Sequence, residues 1–149
     1  MSPQTLLLDQ APRFRNKTQA ALLALFFGAL GAHGHYLGRR LWWLPLAYTL
    51  LMAAGVMVAD TWWDSVFLHL LIIPVTAGIL EAVILALRDP TRFDAIYNSQ
   101  GAGGNSHGWP SVLTAIAGAV AFVNVSLYWL AIIVLAVYRH LGWLDIGVY

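Results

Sequence analysis

KTQAALLALFFGALGAHGHYLGRR, residues 17–40, begins as an apolar helix and turns, within about one helix length, into a polar, glycine-spaced histidine pair. Ala20, Ala24, Gly28 and Ala32 recur at four-residue spacing. On one continuous helix they form a narrow ridge that lets another helix approach closely. Residues 18–37 make twenty positions, about 30 Å at the helical rise, just enough to cross the hydrocarbon of a bilayer. The glycines Gly28, Gly31, Gly34 and Gly38 also supply bends. The stretch therefore reads in two ways, as a full crossing or as a tilted or re-entrant segment.

The rest of the composition places this stretch in a membrane setting. Of 149 residues, 60% are hydrophobic and 10% are charged, against about 25% charged in soluble domains. Mean hydropathy is +0.70. Seven Trp and six Tyr are the amphipathic aromatics that collect where hydrocarbon meets headgroups. A formal charge of +1 gives no reason to expect nucleic acid. The absence of cysteine excludes disulfides, thiolate catalysis and cysteine-held zinc or iron–sulfur sites.

Taken in order, residues 1–17 are expected to form a basic arm, with Arg13, Arg15 and Lys17 as a membrane-surface anchor and Leu6, Leu7 and Leu8 as an apolar patch. The arm lacks the pattern of a cleaved signal peptide, so the first apolar helix is expected to be retained. Residues 18–98 form the main membrane module. After the opening stretch it contains an apolar helix over 41–59, with Trp42 and Trp43 at its interfacial end, and an acidic, aromatic loop over 60–64. A third apolar helix follows over 66–87, where Pro74 predicts a kink, Gly78 a close contact one turn later, and Glu81 an ionisable group in apolar surroundings. A short surface helix is expected from Asp89-Pro90. Residues 99–109, with GAGGNSHG, read as a flexible linker. Residues 110–149 hold a last apolar helix, with polar breaks at Asn124 and Ser126, and an interfacial tail through Trp143 and Tyr149. The predicted fold is all-α, a polytopic helical bundle of about four membrane helices.

Charge counts bear on the first segment. With four crossings, Arg13, Arg15, Lys17 and Arg139 oppose Arg39, Arg40, Arg88 and Arg92, with no bias. With a re-entrant first segment, seven of these share a side opposite Arg139, as the positive-inside preference favours.

Glu81 is the sharpest candidate. A carboxylate in an apolar helix normally faces the bundle interior with a partner, and Arg39, Arg40, His33 and His35 are the partners by type. One reading is a structural ion pair. The other is a proton or cation relay through Glu81 and a histidine. His33 and His35 point about 200° apart on a helix and cannot chelate one metal there, and no HxxxH pair occurs. No metal or cofactor is expected. No nucleophile elbow or phosphate-cradling loop is present, so no enzymatic activity is expected.

At residues 17–39 the chain resembles the TM-two domain family, small membrane modules of two helices joined by a short turn. That family's pattern is a lysine, an apolar helix ending G-x-x-G-A-H-R-F-Y-L-G, and a basic residue. Lys17, Gly28, Gly31, Ala32, His33, Tyr36, Leu37, Gly38 and Arg39 match in order. The resemblance implies a signature turn at Gly31, His33, His35, Tyr36, Gly38 and Arg39. It sets Glu81, within GILEAVILALRD, in the place of the family's intramembrane aspartate, and Tyr97-Asn98 at its downstream asparagine. Gly34-His35 replaces the family's Arg-Phe, so His35 or Arg39 takes over the pairing with the carboxylate. The helix from Val112 has no counterpart in the basic module. The resemblance implies a protein of a bacterial inner membrane with no established enzymatic activity. The expected role is an accessory subunit or scaffold packing, within the lipid bilayer, against other membrane-protein subunits or a second copy of itself. The alternative is a small oligomeric channel or transporter for protons or cations, using Glu81 and the His33/His35 turn.

Overall fold

The computed structural model describes residues 14–99, 104–106 and 108–143. The arm up to Arg13, the linker residues 100–103, His107 and the tail beyond Trp143 lie outside them. All regular structure among the described residues is helical. In order it comprises α1 (Lys17–Phe27), a tight 3-10 turn (Gly28–Leu30), α2 (Ala32–Tyr36), α3 (Trp43–Met57), a second 3-10 turn (Trp62–Asp64), α4 (Val66–Leu70), α5 (Ile72–Leu87), α6 (Pro90–Tyr97) and α7 (Trp109–His140).

The opening stretch is not one helix. The Asn16 side chain starts α1 by accepting from the backbone N–H groups of Thr18 and Gln19, at 2.9 and 3.2 Å, as an N-cap does. Eleven residues later the helix tightens into the 3-10 turn, and Gly31, at φ 71°, reverses the chain into α2. The hairpin closes on itself. The backbone N–H of Asn16 donates to the Tyr36 hydroxyl at 2.8 Å, and that hydroxyl donates to Gln19 Oε1 at 3.1 Å. A continuous helix would hold residues 16 and 36 about 30 Å apart. The segment therefore folds back on itself as a helical hairpin, and the reading as a single twenty-residue helix does not hold.

Close backbone packing fixes the bend. A Cβ on Gly28 would lie 2.4 Å from Gly78 Cα, and one on Gly78 would lie 2.6 Å from Gly28 Cα, so α5 crosses the turn backbone to backbone. A Cβ on Gly31 would meet the Trp42 carbonyl oxygen at 2.3 Å. The turn also exposes carbonyl groups that a helix would have satisfied, and a buried carbonyl needs a donor. The Thr49 hydroxyl supplies one to Ala29 O at 2.7 Å.

Pro74 breaks the third apolar helix at Leu71, dividing it into α4 and α5. Proline lacks the N–H that would bond the carbonyl of Leu70, and the Tyr48 hydroxyl from α3 donates to that oxygen at 3.3 Å. Gly78 lies one turn beyond, at the crossing with Gly28.

The core is built largely of alanine. Ala20, Ala21 and Ala24 of α1, Ala82, Leu85 and Ala86 of α5 and Ala115 of α7 pack with Leu37 and Phe93. Small side chains bring helix backbones together and gain dispersion contact along their length. The expected ridge thus consists of Ala20, Ala24 and Gly28, and its partner is α5 of the same chain. Ala32 does not continue it. It lies on α2, beyond the turn, and is only half-buried.

Helix α7 joins this core through its first ten residues. Thr18 Oγ1 and Ser111 Oγ share a hydrogen bond at 3.0 Å, and Gly118 packs on Val83. Its buried residues end there: Ser111, Thr114, Ala115 and Gly118. At the opposite end of the bundle, Gly55 of α3 packs on the Phe67 ring, and the Arg139 guanidinium lies 4.5 Å from the centre of the Trp63 ring.

Among the described residues, two stretches are long and apolar enough to cross a membrane. These are Val66–Leu87, with mean hydropathy 2.5, and Trp109–His140, with 2.4; Lys17–Leu30 and Trp43–Met57 are shorter. Of the roughly four membrane helices expected, two are therefore long and apolar enough to cross by length and composition, and the other two are not.

Candidate functional site

Glu81 faces the returning arm of the hairpin. It sits on α5 one turn beyond Gly78, and the Gly28–Gly78 crossing sets α2 and the following loop against it. His33 Nε2 lies 2.6 Å from Glu81 Oε2, and Arg39 Nη1 donates to Glu81 Oε1. Arg39 Nη2 also donates to the Tyr97 hydroxyl of α6 at 3.1 Å. One carboxylate thus links α5, α2, the α2–α3 loop and, through Arg39, α6.

Both carboxylate oxygens of Glu81 are thus engaged, one by His33 and one by Arg39, while His33 Nδ1 is buried without a hydrogen-bond partner among the described residues. The His33 side chain is 5% exposed, Glu81 28% and Arg39 38%, so the cluster runs from the interior to the surface. A cleft of about 360 Å³ between the turn, α3 and α5 reaches it, walled by His33, Pro45, Tyr48, Pro74 and Glu81.

Of the expected partners, the structure brings His33 and Arg39 to Glu81 but not His35. His35 is exposed, and its ring packs edge-on to Trp42 with centroids 4.7 Å apart. On α2 the two side chains point about 200° apart, so only one of them faces Glu81, and Gly34 between them packs on Trp42, where a Cβ would lie 3.2 Å from Trp42 Cβ. Arg40 is exposed as well. Gly31 and Gly38 both adopt φ 71°, the left-handed region that glycine enters without strain, and the Arg15 guanidinium lies against the bare Cα of Gly38.

Beside this cluster lies a second polar assembly that sequence reasoning missed. Lys17, expected as a surface anchor, is 1% exposed. Its ammonium donates to the carbonyl of Arg88 at 3.0 Å, at the C-terminal end of α5, where a helix favours positive charge. Its backbone N–H donates to Asn105 Oδ1 at 2.7 Å. The carbonyl of Arg15 accepts from the side-chain amides of Asn98 and Asn105, each at 3.0 Å, and its N–H donates to Asn98 Oδ1 at 2.9 Å. Asp94 gathers these amides by accepting from Asn98, Asn105 and the backbone of Gly104 and Asn105. Desolvation alone would raise the Asp94 carboxyl, but hydrogen bonds from the Asn105 and Asn98 side chains and from the two backbone N–H groups outweigh it. They hold the carboxyl below its ordinary range. The part of the expected linker at Gly104 and Asn105 is therefore tied to α6 and to the start of α1. An i, i+4 pair such as Asp94 and Asn98 was the readable signal; Asn105 lay hidden in a glycine-rich run.

No group of three or more His, Asp or Glu side chains among the described residues could hold a metal ion. No family model matches the chain, and neither a curated protein nor a solved structure matches it.

Proposed function

We propose that the chain is a non-enzymatic integral membrane protein, a TM-two-like module of a bacterial inner membrane, that serves as an accessory subunit or scaffold by packing against other membrane helices. The observation that carries this reading is α7. Its most apolar 18-residue window has mean hydropathy 2.4 and no buried residue. A core helix of a soluble protein is apolar because it is buried, whereas a helix apolar all round and bare in the monomer matches a hydrocarbon solvent or a partner helix. In this reading α7, the α4–α5 pair and α3 with its flanking turns cross. The α1–α2 hairpin enters and returns, its bent backbone covered by protein as non-helical backbone at membrane depth must be. Arg15, Lys17, Arg39, Arg40, Arg88 and Arg92 then share the side opposite Arg139, in keeping with the positive-inside preference. Glu81, matched by Arg39 and His33, pins the hairpin to α5. Membrane fractions washed at alkaline pH should retain the chain, and release into the supernatant would overturn the reading.

A second reading, a proton or cation path, is favoured by one observation. The cleft beside Pro74 reaches both His33 and the partly exposed Glu81. Reconstituted liposomes would then show flux that Glu81→Gln abolishes. Flux equal to that of protein-free vesicles would remove this reading.

A further inference from the structure

We infer that the partner of α7 is a second copy of this chain, joined in parallel along a seam centred on Asn124; this rests on the membrane reading above. Asn124 lies fifteen residues from Trp109 and sixteen from His140, at the middle of a 32-residue helix. It is exposed, and its one hydrogen bond among the described residues runs from Nδ2 to the Val120 carbonyl of its own helix, at 2.8 Å. The second N–H and the side-chain oxygen have no partner there. In hydrocarbon that is costly, and polar groups so placed normally face protein.

The residues around Asn124 have the spacing of a helix–helix seam. Ala117, Val120, Asn124, Leu127, Ala131 and Val134 alternate steps of three and four, and all six are exposed. This 3.5-residue period keeps a single row facing a partner helix in a left-handed pair. Ala117 and Ala131 stand seven residues either side of Asn124, so the helices can close to short range where the carboxamides meet. The opposite side of α7, with Ser111, Ala115 and Gly118, is taken by the core. The seam is therefore free in the monomer.

A second copy is the occupant that these features select. Copies inserted by the same topology rule have parallel α7 helices, so Asn124 meets Asn124 at the same depth about a two-fold axis along the bilayer normal. A carboxamide carries both donor and acceptor, and two of them exchange reciprocal hydrogen bonds. Such an isologous pair closes and leaves no open end. A lone asparagine at this kind of position also fixes register. The ridge of α1 cannot serve instead, because α5 covers it.

The chain has no cysteine, so single-cysteine variants of the full protein in native membranes provide the test. Under mild oxidation, Val120→Cys and Leu127→Cys should form disulfide-linked dimers, while Ala119→Cys and Ile133→Cys, exposed but turned away from the seam, should not. In mild detergent, Asn124→Leu should weaken dimerisation by about 3- to 30-fold, and Asn124→Gln should preserve it. Equal cross-linking at all four positions, none at the seam in a membrane-retained chain, or an unchanged dimer in Asn124→Leu would overturn the inference. Cross-linking that captures another membrane protein in place of the dimer would overturn it too. If alkaline washing releases the chain, the membrane reading fails first and the inference with it.

Discussion

The two ends of the bundle are held in different ways. At the end that contains Lys17, Arg88 and Asn98, buried alanines bring α1, α5 and α7 together, and hydrogen bonds join the start of α1 to α6 and to Asn105. At the other end α7 runs on past Gly118 with large apolar side chains bare, Val123, Leu127 and Leu130 among them. Satisfied polar networks specify one arrangement, whereas a bare apolar face specifies nothing until a solvent or partner covers it. The first end therefore holds the fold, and the second presents the apolar surface on which the proposed packing against other helices rests.

The largest expected effect breaks the first end at its closest approach. Gly78→Leu puts a branched side chain where even a Cβ meets the Gly28 backbone. It should cost about 3 kcal/mol or more in thermal unfolding in detergent, at or beyond the upper range for overpacking. Leu130→Ala at the bare end should change monomer stability by less than about 0.5 kcal/mol. Similar losses at both sites would erase the contrast.

Glu81→Ala comes next. It leaves His33 and Arg39 facing each other without their shared acceptor. The expected loss is about 2 kcal/mol, below the 3–5 kcal/mol of a fully buried pair because the Arg39 side chain remains 38% exposed and is partly screened by solvent. Comparing Glu81→Ala in wild-type and Arg39→Gln backgrounds isolates the pair, and strict additivity would show that the two do not act together.

A pH titration sharpens the comparison further. The native Asp94 carboxyl titrates below its unfolded value, so its contribution is complete above about pH 4 and is lost as pH falls through the depressed native value. Asp94→Asn should flatten that part of the acid-stability curve while leaving α7 dimerisation unchanged. An acid limb identical to wild type would place the lock elsewhere. The smallest effect is expected from Tyr48→Phe, about 0.5 kcal/mol, because the bond to the Leu70 carbonyl freed by Pro74 is long at 3.3 Å.

Much of this contrast was legible in local sequence. Pro74 and Gly78 marked the break and the close crossing, and Asp89-Pro90 marked the start of α6. The run of glycines marked where the first segment bends, while the charge count spoke only to membrane sidedness. What local spacing hides is which distant residue completes each feature. The ridge of Ala20, Ala24 and Gly28 reads equally well as an outer face, and only its pairing with Gly78 shows that it faces inward. His33 and His35 point apart on any helix, but which of the two faces Glu81 is set by how α2 packs on α5. Lys17 looked like a surface cation because its acceptor, the Arg88 carbonyl, is a backbone group with no sequence mark. Asn105 sat in a run whose composition reads as linker, and Tyr97 was marked only by resemblance.

The returning α1–α2 hairpin is the central claim, since it sets the sidedness of every other element. Labelling of single cysteines in intact cells with a membrane-impermeant thiol reagent tests it directly. Phe14→Cys and Arg40→Cys should behave alike, both protected or both modified, with Thr61→Cys doing the opposite. If Phe14→Cys instead labels with Thr61→Cys and against Arg40→Cys, the first segment crosses the membrane and the account is contradicted.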